Sequence, residues 1–124
     1  MKKTVISFGH ACKGILHCIR NERNLKIQLI CACLVIIAGI VFQLKPLEWC
    51  VIAVCIAIVL SMEMVNTSIE HVCNAFHKEY HPVIRIVKDI SAGAVLISAC
   101  ITFFCGIIIF FPKIISFIHS LKIK

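Results

Sequence analysis

Acidic side chains are scarce in this sequence, so each one can be weighed as a candidate functional group. The 124 residues include only six Asp and Glu. Glu63 is the least expected of them, because it directly follows a run from Trp49 to Met62 that carries no charge. An ionisable residue is costly to keep inside a membrane-spanning segment, so its presence there indicates a function. Glu63 is therefore the first candidate.

A polar face extends from Glu63 along one side of a predicted helix. At 100° per residue, Glu63, Asn66 and Glu70 fall within an arc of about 60°, and Thr67 and Asn74 widen that face. Two carboxylates on one face repel each other unless a cation joins them. Mg²⁺ prefers such oxygen ligands and usually binds one or two carboxylates together with substrate phosphates. The alternative is a polar seam that forms hydrogen bonds to neighbouring helices.

Charged residues elsewhere are candidates for the same site. Glu22, at the end of the N-terminal segment, could reach it, Lys88 could neutralise a phosphate, and Asp89 could hold a cation or act as a base. The alternative for Lys88 and Asp89 is an ordinary capping and snorkelling pair at a helix start. A zinc site is a weaker alternative, because its candidates form one short cluster without paired spacing. They are His71, Cys73, His77 and His81.

The composition indicates the kind of protein that positions these residues. Hydrophobic residues make up 60% of the chain, whereas soluble domains contain about 45–50%. Short chains bury the smallest fraction of their surface, so the excess must face lipid. This excludes a soluble enzyme, a nucleic-acid-binding domain and a secreted disulfide scaffold. Six of the nine cysteines lie inside apolar runs, where thiols behave as small hydrophobes.

The hydropathy pattern predicts a single all-α membrane domain over residues 1–124. A span needs about 20 apolar residues, and the runs that reach or approach this length are 25–44, 47–65 and 93–111. Residues 66–92 form the connector between the second and third spans. Prolines lie in the gaps, where helix breakers are expected; they are Pro46, Pro82 and Pro112.

The segment before the first span has a different pattern. Over about 4–22 the apolar residues recur every three or four positions, which predicts a helix; they include Val5, Phe8, Cys12, Ile15 and Ile19. Basic residues occupy the opposite side. This pattern is typical of an amphipathic helix that lies on the membrane surface. The alternative is a soluble helix packed on a partner.

The distribution of positive charge predicts the orientation. The chain has 13 Lys and Arg and a net charge of +7. Nine of these basic residues lie in segments 1–26 and 66–92, and four lie on the other side. The positive-inside rule therefore places the N-terminus and the connector in the cytoplasm. Anionic lipid headgroups explain the charge more simply than nucleic acid does. Glu48 is expected to be solvated in the external turn.

Several motifs resemble those of a known family. They are Glu63-x-x-Asn66-Thr67-x-x-Glu70, Glu79-Tyr80-His81-Pro82 and Lys88-Asp89, and Lys13-Gly14 stands upstream of Glu22. Over about residues 5–112 the chain resembles the small bacterial integral-membrane lipid kinases, the diacylglycerol and undecaprenol kinases. The resemblance implies a surface helix, three membrane helices, and a homotrimer with active sites shared between subunits in the inner membrane.

The resemblance also implies roles for individual residues. Glu63 would be the catalytic base on a lipid hydroxyl, Asn66 would support the site, and Glu22 and Glu70 would hold Mg²⁺. Asp89 would be a catalytic residue and would also contact ATP. The nucleotide contacts are His10, Glu22, Glu70, Glu79, Tyr80, His81, Lys88 and Asp89, and Lys3 is a further candidate for the phosphates.

The acceptor lipid is predicted from two segments. Tyr80-His81-Pro82 and the run from Ala92 to Leu96 look more like the undecaprenol branch than the diacylglycerol branch. A small multidrug-type transporter is an alternative class, but transport sites lie near the bilayer midplane, whereas five of the six acids here are expected at one boundary. A structural or holin-like protein would leave Glu63, Glu70 and Asp89 unexplained.

Overall fold

The computed structural model describes residues 2–76 and 81–122, with side chains for 6–76 and 81–120. Within these ranges the chain is all helical. The helices are α1 (Lys2–Asn21), α2 (Arg23–Val41), α3 (Pro46–Phe76) and α4 (Pro82–Lys122). The last three are each long and apolar enough to cross a bilayer. This confirms the prediction of an all-α protein with three membrane spans.

Helices α3 and α4 extend well past the predicted spans. At 1.5 Å per residue, the 31 residues of α3 are about 46 Å long and the 41 residues of α4 about 60 Å, whereas the hydrocarbon core of a bilayer is about 30 Å thick. Residues 66–76 and 82–92 of the predicted connector are therefore helical. The polar face that begins at Glu63 lies on one continuous helix.

Pro112 does not end the last helix, although its position after the apolar run 93–111 predicted a stop. Helix α4 continues through it to Lys122. Proline lacks an N–H and so leaves the carbonyl four residues earlier without its helical donor, but membrane helices tolerate such interruptions. The Ser116 hydroxyl donates to the Pro112 carbonyl at 2.9 Å. Position after an apolar run was therefore not enough to identify a helix stop.

A tight turn joins α2 to α3. The N–H of Leu44 donates to the Gly39 carbonyl at 3.0 Å, and that of Gln43 donates to the Ile40 carbonyl at 3.2 Å. This pair of bonds is a common way for a helix to end, and it requires a left-handed residue after the cap. Gln43 takes that conformation, with φ of 50°. The short turn makes α2 and α3 antiparallel neighbours.

The same turn brings the backbone of α2 against an aromatic ring of α3. A methyl group at Gly39 would lie 2.7 Å from Cη2 of Trp49 and 2.9 Å from Cδ1 of Leu44. Such distances are too short for carbon atoms in contact. Small residues of this kind allow membrane helices to approach closely, so Gly39 is required for the contact between α2 and Trp49.

We expect Gly39→Ala to destabilise the protein by about 1–3 kcal/mol, the usual cost of overpacking. The measurement is the thermal unfolding midpoint of purified protein in detergent. The matched control is Gly106→Ala on α4, because a methyl group there meets no atom within 4 Å. Equal midpoints for the two variants would contradict the close packing at Gly39.

Glu48 is not simply solvated, as its place in the turn had suggested. Its Oε2 accepts a hydrogen bond from the backbone N–H of Lys45 at 2.6 Å and lies 2.9 Å from Nζ of Lys113. The first contact is half of a capping box, which satisfies a free N–H at the helix start. The second joins the beginning of α3 to α4.

Helix α3 occupies the centre of the bundle. It packs most extensively against α4 and also contacts α2 and α1. Helix α1 contacts α2 and α3, but within the described residues it does not contact α4. Buried residues are concentrated on α3, among them Ile52, Cys55, Glu63, Asn66, Thr67 and Cys73. Of the polar face predicted from sequence, Glu63, Asn66 and Thr67 therefore point into the bundle. Glu70 is half-buried and Asn74 is exposed.

Candidate functional site

Glu63 is buried in the contact between α2 and α3. It is only 3% exposed, and its Oε2 accepts a hydrogen bond from Nε2 of Gln28 at 3.0 Å. Burying a carboxylate is costly unless it is hydrogen-bonded, so the Gln28 amide stabilises the carboxylate. The oxygen of the same amide is unsatisfied: Oε1 of Gln28 is buried and has no hydrogen-bond partner among the described residues.

Asn66 connects Glu70 to α4. Its Nδ2 donates to Oε1 of Glu70 at 3.3 Å, and its Oδ1 accepts from the Ser91 hydroxyl at 2.6 Å. Asn66 and Ser91 are each 7% exposed. A side chain bonded at both ends has a fixed orientation, and each buried polar group has a partner. The Asn66 amide therefore holds the Glu70 carboxylate in place.

Glu22 lies at the junction between α1 and α2. It occupies the capping position of α2, but its side chain makes no capping hydrogen bond. Its Oε1 lies 3.8 Å from Nε2 of His71 on α3, and the His71 ring stands 5.8 Å from the ring of His17 on α1. His71 directly follows Glu70 in the chain, so the structure places both carboxylates at the same end of the bundle.

The donor chemistry at this end fits a hard divalent cation that arrives with a phosphate ligand. Among the described residues, no group of three or more His, Cys, Asp or Glu is placed to hold a metal ion. Mg²⁺ does not need such a cage, because it keeps several waters and binds one or two carboxylates plus phosphate. Glu22 and Glu70 would be those carboxylates. Of the weaker zinc cluster, His77 lies outside the described residues.

The predicted nucleotide contacts on α4 make different pairings. Nζ of Lys88 donates to Oδ1 of Asn74 at 2.7 Å, which ties α4 to the C-terminal end of α3. The Asp89 carboxylate is exposed and lies 3.8 Å from Nε of Arg85. Among the described residues, Asp89 forms no hydrogen bond or ion pair with Glu63 or Asn66, so one chain does not join it to that network. His81 directly precedes Pro82, the first residue of α4.

The remaining predicted contacts are distributed elsewhere. His10 is exposed on α1, a helix that does not contact α4 within the described residues. One chain therefore does not bring His10 beside Lys88 or Asp89. Glu79 and Tyr80 lie outside the described residues, as does the side chain of Lys3.

Sequence reasoning missed two residues that complete the site. Gln28 is a polar residue inside the first apolar run, and polar residues in spans commonly form interhelical hydrogen bonds. That signal could have marked Gln28 as functional, but it could not identify its partner Glu63, which lies 35 residues further along the chain. Ser91 follows the Lys88-Asp89 motif, and its position three residues after Lys88 places it on the same helix face.

A cleft of about 370 Å³ opens between α3 and α4 beside Asn66. Its walls are otherwise apolar, apart from Ser91, and include Met62, Val65, Val87 and Ile90.

Comparison with known proteins identifies the family. Residues 9–110 match the prokaryotic diacylglycerol kinases. The chain belongs to that family. This match covers every predicted site residue except Lys3, and it leaves the last part of α4 beyond its end.

Individual members of the prokaryotic diacylglycerol kinase family are similar over most of the chain. The undecaprenol kinase of Bacillus subtilis is 39% identical over 108 residues, which are 87% of this chain and 88% of that protein. The diacylglycerol kinase of Synechocystis sp. is 29% identical over 113 residues, which are 90% of this chain and 65% of that protein.

Membership in the diacylglycerol kinase family confirms the prediction of a membrane-bound lipid kinase. A kinase takes its phosphoryl group from a nucleotide, so the family implies a nucleotide substrate. The three apolar helices indicate that the protein crosses the membrane several times. The inner membrane is consistent with both findings. The transporter and holin-like alternatives lose their support.

Proposed function

We propose that this lipid kinase transfers the γ-phosphate of MgATP to the hydroxyl of undecaprenol and so makes undecaprenyl phosphate. The alternative is a diacylglycerol kinase that makes phosphatidic acid. Two facts favour undecaprenol. The identity to the Bacillus undecaprenol kinase is 39%, against 29% to the Synechocystis diacylglycerol kinase, and the Tyr80-His81-Pro82 segment resembles the undecaprenol branch.

The observation that carries this proposal is the burial of Glu63. A carboxylate that is 3% exposed, on a helix long enough to cross the bilayer, is shielded from bulk water. Glu63 would act as the general base that accepts the proton of the lipid hydroxyl. The hydroxyl oxygen then attacks the γ-phosphorus while the bond to the bridging oxygen of ADP breaks.

Mg²⁺ would be held by Glu22 and Glu70 and would neutralise charge on the phosphates. Phosphoryl transfer depends mainly on positioning and on electrostatic stabilisation. The hydrogen bond from Asn66 to Glu70 supports this role, because it holds one ligand in a single orientation. Asn66 is therefore proposed as a supporting residue of the site.

ATP would be bound by groups from two separate parts of the sequence, residues 3–10 and 79–89. His10, Glu79, Tyr80, His81, Lys88 and Asp89 are proposed as its contacts, with Lys3 as a further phosphate ligand. Lys88 and Lys3 supply positive charge for the phosphates. The Lys88–Asn74 hydrogen bond keeps the ammonium group at the end of α3 that also carries Glu70.

A homotrimer with shared sites would bring these groups together. Helices α1 and α4 carry residues proposed for one nucleotide, yet within the described residues of one chain they do not contact each other. In a trimer, α1 of one subunit would lie close to α4 of its neighbour. Helix α1 would lie on the membrane surface, where its exposed Phe8 and Ile15 can enter the headgroup boundary.

The test is phosphorylation of a panel of lipids by purified protein. Labelled ATP and Mg²⁺ are supplied with undecaprenol, diacylglycerol or ceramide in mixed micelles, and a reaction without lipid measures ATP hydrolysis. We expect the highest kcat/KM with undecaprenol. A preference for diacylglycerol would establish the alternative, and no transfer to any lipid alcohol would contradict both.

A further inference from the structure

We propose that Gln28 is a positioning residue for Glu63, and that its amide hydrogen-bonds the carboxyl group both before and after proton uptake. This inference rests on the proposed role of Glu63 as the base. It goes beyond that role because it assigns to α2 a residue that completes the reaction site. Gln28 belongs to none of the proposed nucleotide or metal contacts.

The contact seen in the structure suits the ionised state. A carboxylate only accepts hydrogen bonds, whereas an amide NH₂ only donates. Nε2 of Gln28 faces Oε2 of Glu63 at 3.0 Å, so the amide stabilises the negative charge. Glu63 is 3% exposed, so water is a poor substitute for this donor. The contact therefore orients the base by fixing the direction of one carboxylate oxygen.

Proton transfer changes what the buried carboxyl group needs. When the lipid O–H bond breaks, its proton moves to Glu63, the lipid oxygen bonds to the γ-phosphorus, and ADP leaves with the electrons of the broken P–O bond. Glu63 is then a carboxylic acid, which carries one O–H donor. A buried donor without an acceptor costs about as much as a lost hydrogen bond.

Oε1 of Gln28 is the acceptor that this state requires. It is buried and has no hydrogen-bond partner among the described residues, which is uncommon for a buried polar atom. The terminal torsion of a glutamine is broad and roughly two-fold. A half turn of the amide therefore exchanges Nε2 for Oε1 at little steric cost. One side chain can thus hydrogen-bond both protonation states of Glu63.

The test compares Gln28→Met with Gln28→His. Methionine keeps the unbranched shape without an N–H, whereas neutral histidine keeps one donor and one acceptor. We expect Gln28→Met to lower kcat by about 10- to 100-fold, in line with the loss of one hydrogen bond to a charged group, with KM for MgATP unchanged. Gln28→His should recover most of the rate.

The matched control is Asn24→Met, the same amide-to-thioether change one turn earlier on α2, where the side chain is exposed; its kcat should be unaffected. A double-mutant cycle supplies the decisive measurement. With Glu63→Gln already in place, Gln28→Met should lower the residual rate no further, because no proton is transferred to residue 63.

Each alternative outcome has a distinct meaning. A normal kcat in Gln28→Met, while Glu63→Gln is inactive, overturns the role of Gln28 and leaves the proposed function standing. Equal losses of rate and of thermal stability in Gln28→Met and Gln28→His mean that Gln28 only packs, which also overturns the inference. An active Glu63→Gln overturns the base itself and the inference with it.

Discussion

The variant Glu63→Gln should turn over at no more than about one hundredth of the wild-type rate, because removal of a general base usually costs 10²–10⁴-fold. The substitution keeps the size of the side chain, and the new amide oxygen can still accept from Nε2 of Gln28. It removes only the ability to take a proton. Steady-state kinetics with saturating MgATP and lipid would measure kcat directly, and nucleotide binding and oligomer mass in detergent should stay near wild type.

The control for this prediction is Glu48→Gln, the same substitution at the opposite end of α3. Glu48 pairs with Lys113 at 2.9 Å, so its loss should affect stability slightly and kcat hardly at all. If Glu63→Gln keeps more than about a tenth of the wild-type kcat, its loss is too small for a general base, and Glu63 is a packing residue. Dissociation of the oligomer instead would show that the polar face is a structural seam.

The parts of this site that lie on one helix could be predicted from sequence. Glu63, Asn66 and Glu70 are separated by three and four residues, and the period of a helix places such residues on one face. The structure confirms that Asn66 and Glu70 are in contact, at 3.3 Å. The three spans were likewise predictable, because uninterrupted apolar runs of that length have few alternatives to a membrane helix.

The length of the helices could not be obtained in the same way. Hydropathy indicates which residues lie in lipid. It does not indicate where the helical hydrogen bonds end, because these can continue into polar segments. Residues 66–76 and 82–92 are polar enough to end the apolar signal, yet both are helical. The helix beyond Pro112 was missed for a related reason, since a proline weakens a membrane helix without necessarily ending it.

Contacts between helices were outside the reach of sequence patterns. Gln28 is visible as a polar residue in an apolar run, but nothing in the pattern selects Glu63 rather than Asn66 as its partner. The separation of α1 from α4 is similarly a property of packing around α3. This separation bears directly on function, because it distributes the proposed nucleotide contacts over helices that do not contact each other within the described part of one chain.

The variants Glu22→Gln and Glu70→Gln should each raise the apparent KM for MgATP by at least about 10-fold, since even indirect support of a metal ligand is worth 10–100-fold in affinity. Each substitution removes one anionic oxygen ligand from a site with few of them. Titration with Mg²⁺ at fixed ATP should show a matching increase in the concentration required, and excess Mg²⁺ should restore part of the rate. Unchanged titrations in both variants would mean that the carboxylates are structural.

The contact between Glu22 and His71 makes a further comparison necessary. Oε1 of Glu22 lies 3.8 Å from Nε2 of His71. Glu22→Gln could therefore act by releasing His71 rather than by removing a metal ligand. His71→Gln separates the two explanations, because it breaks the pair and leaves the carboxylate in place. If Glu22 binds the metal, His71→Gln should keep a nearly normal Mg²⁺ titration. If His71→Gln reproduces the defect in full, Glu22 acts through His71, and Glu70 remains the proposed protein ligand.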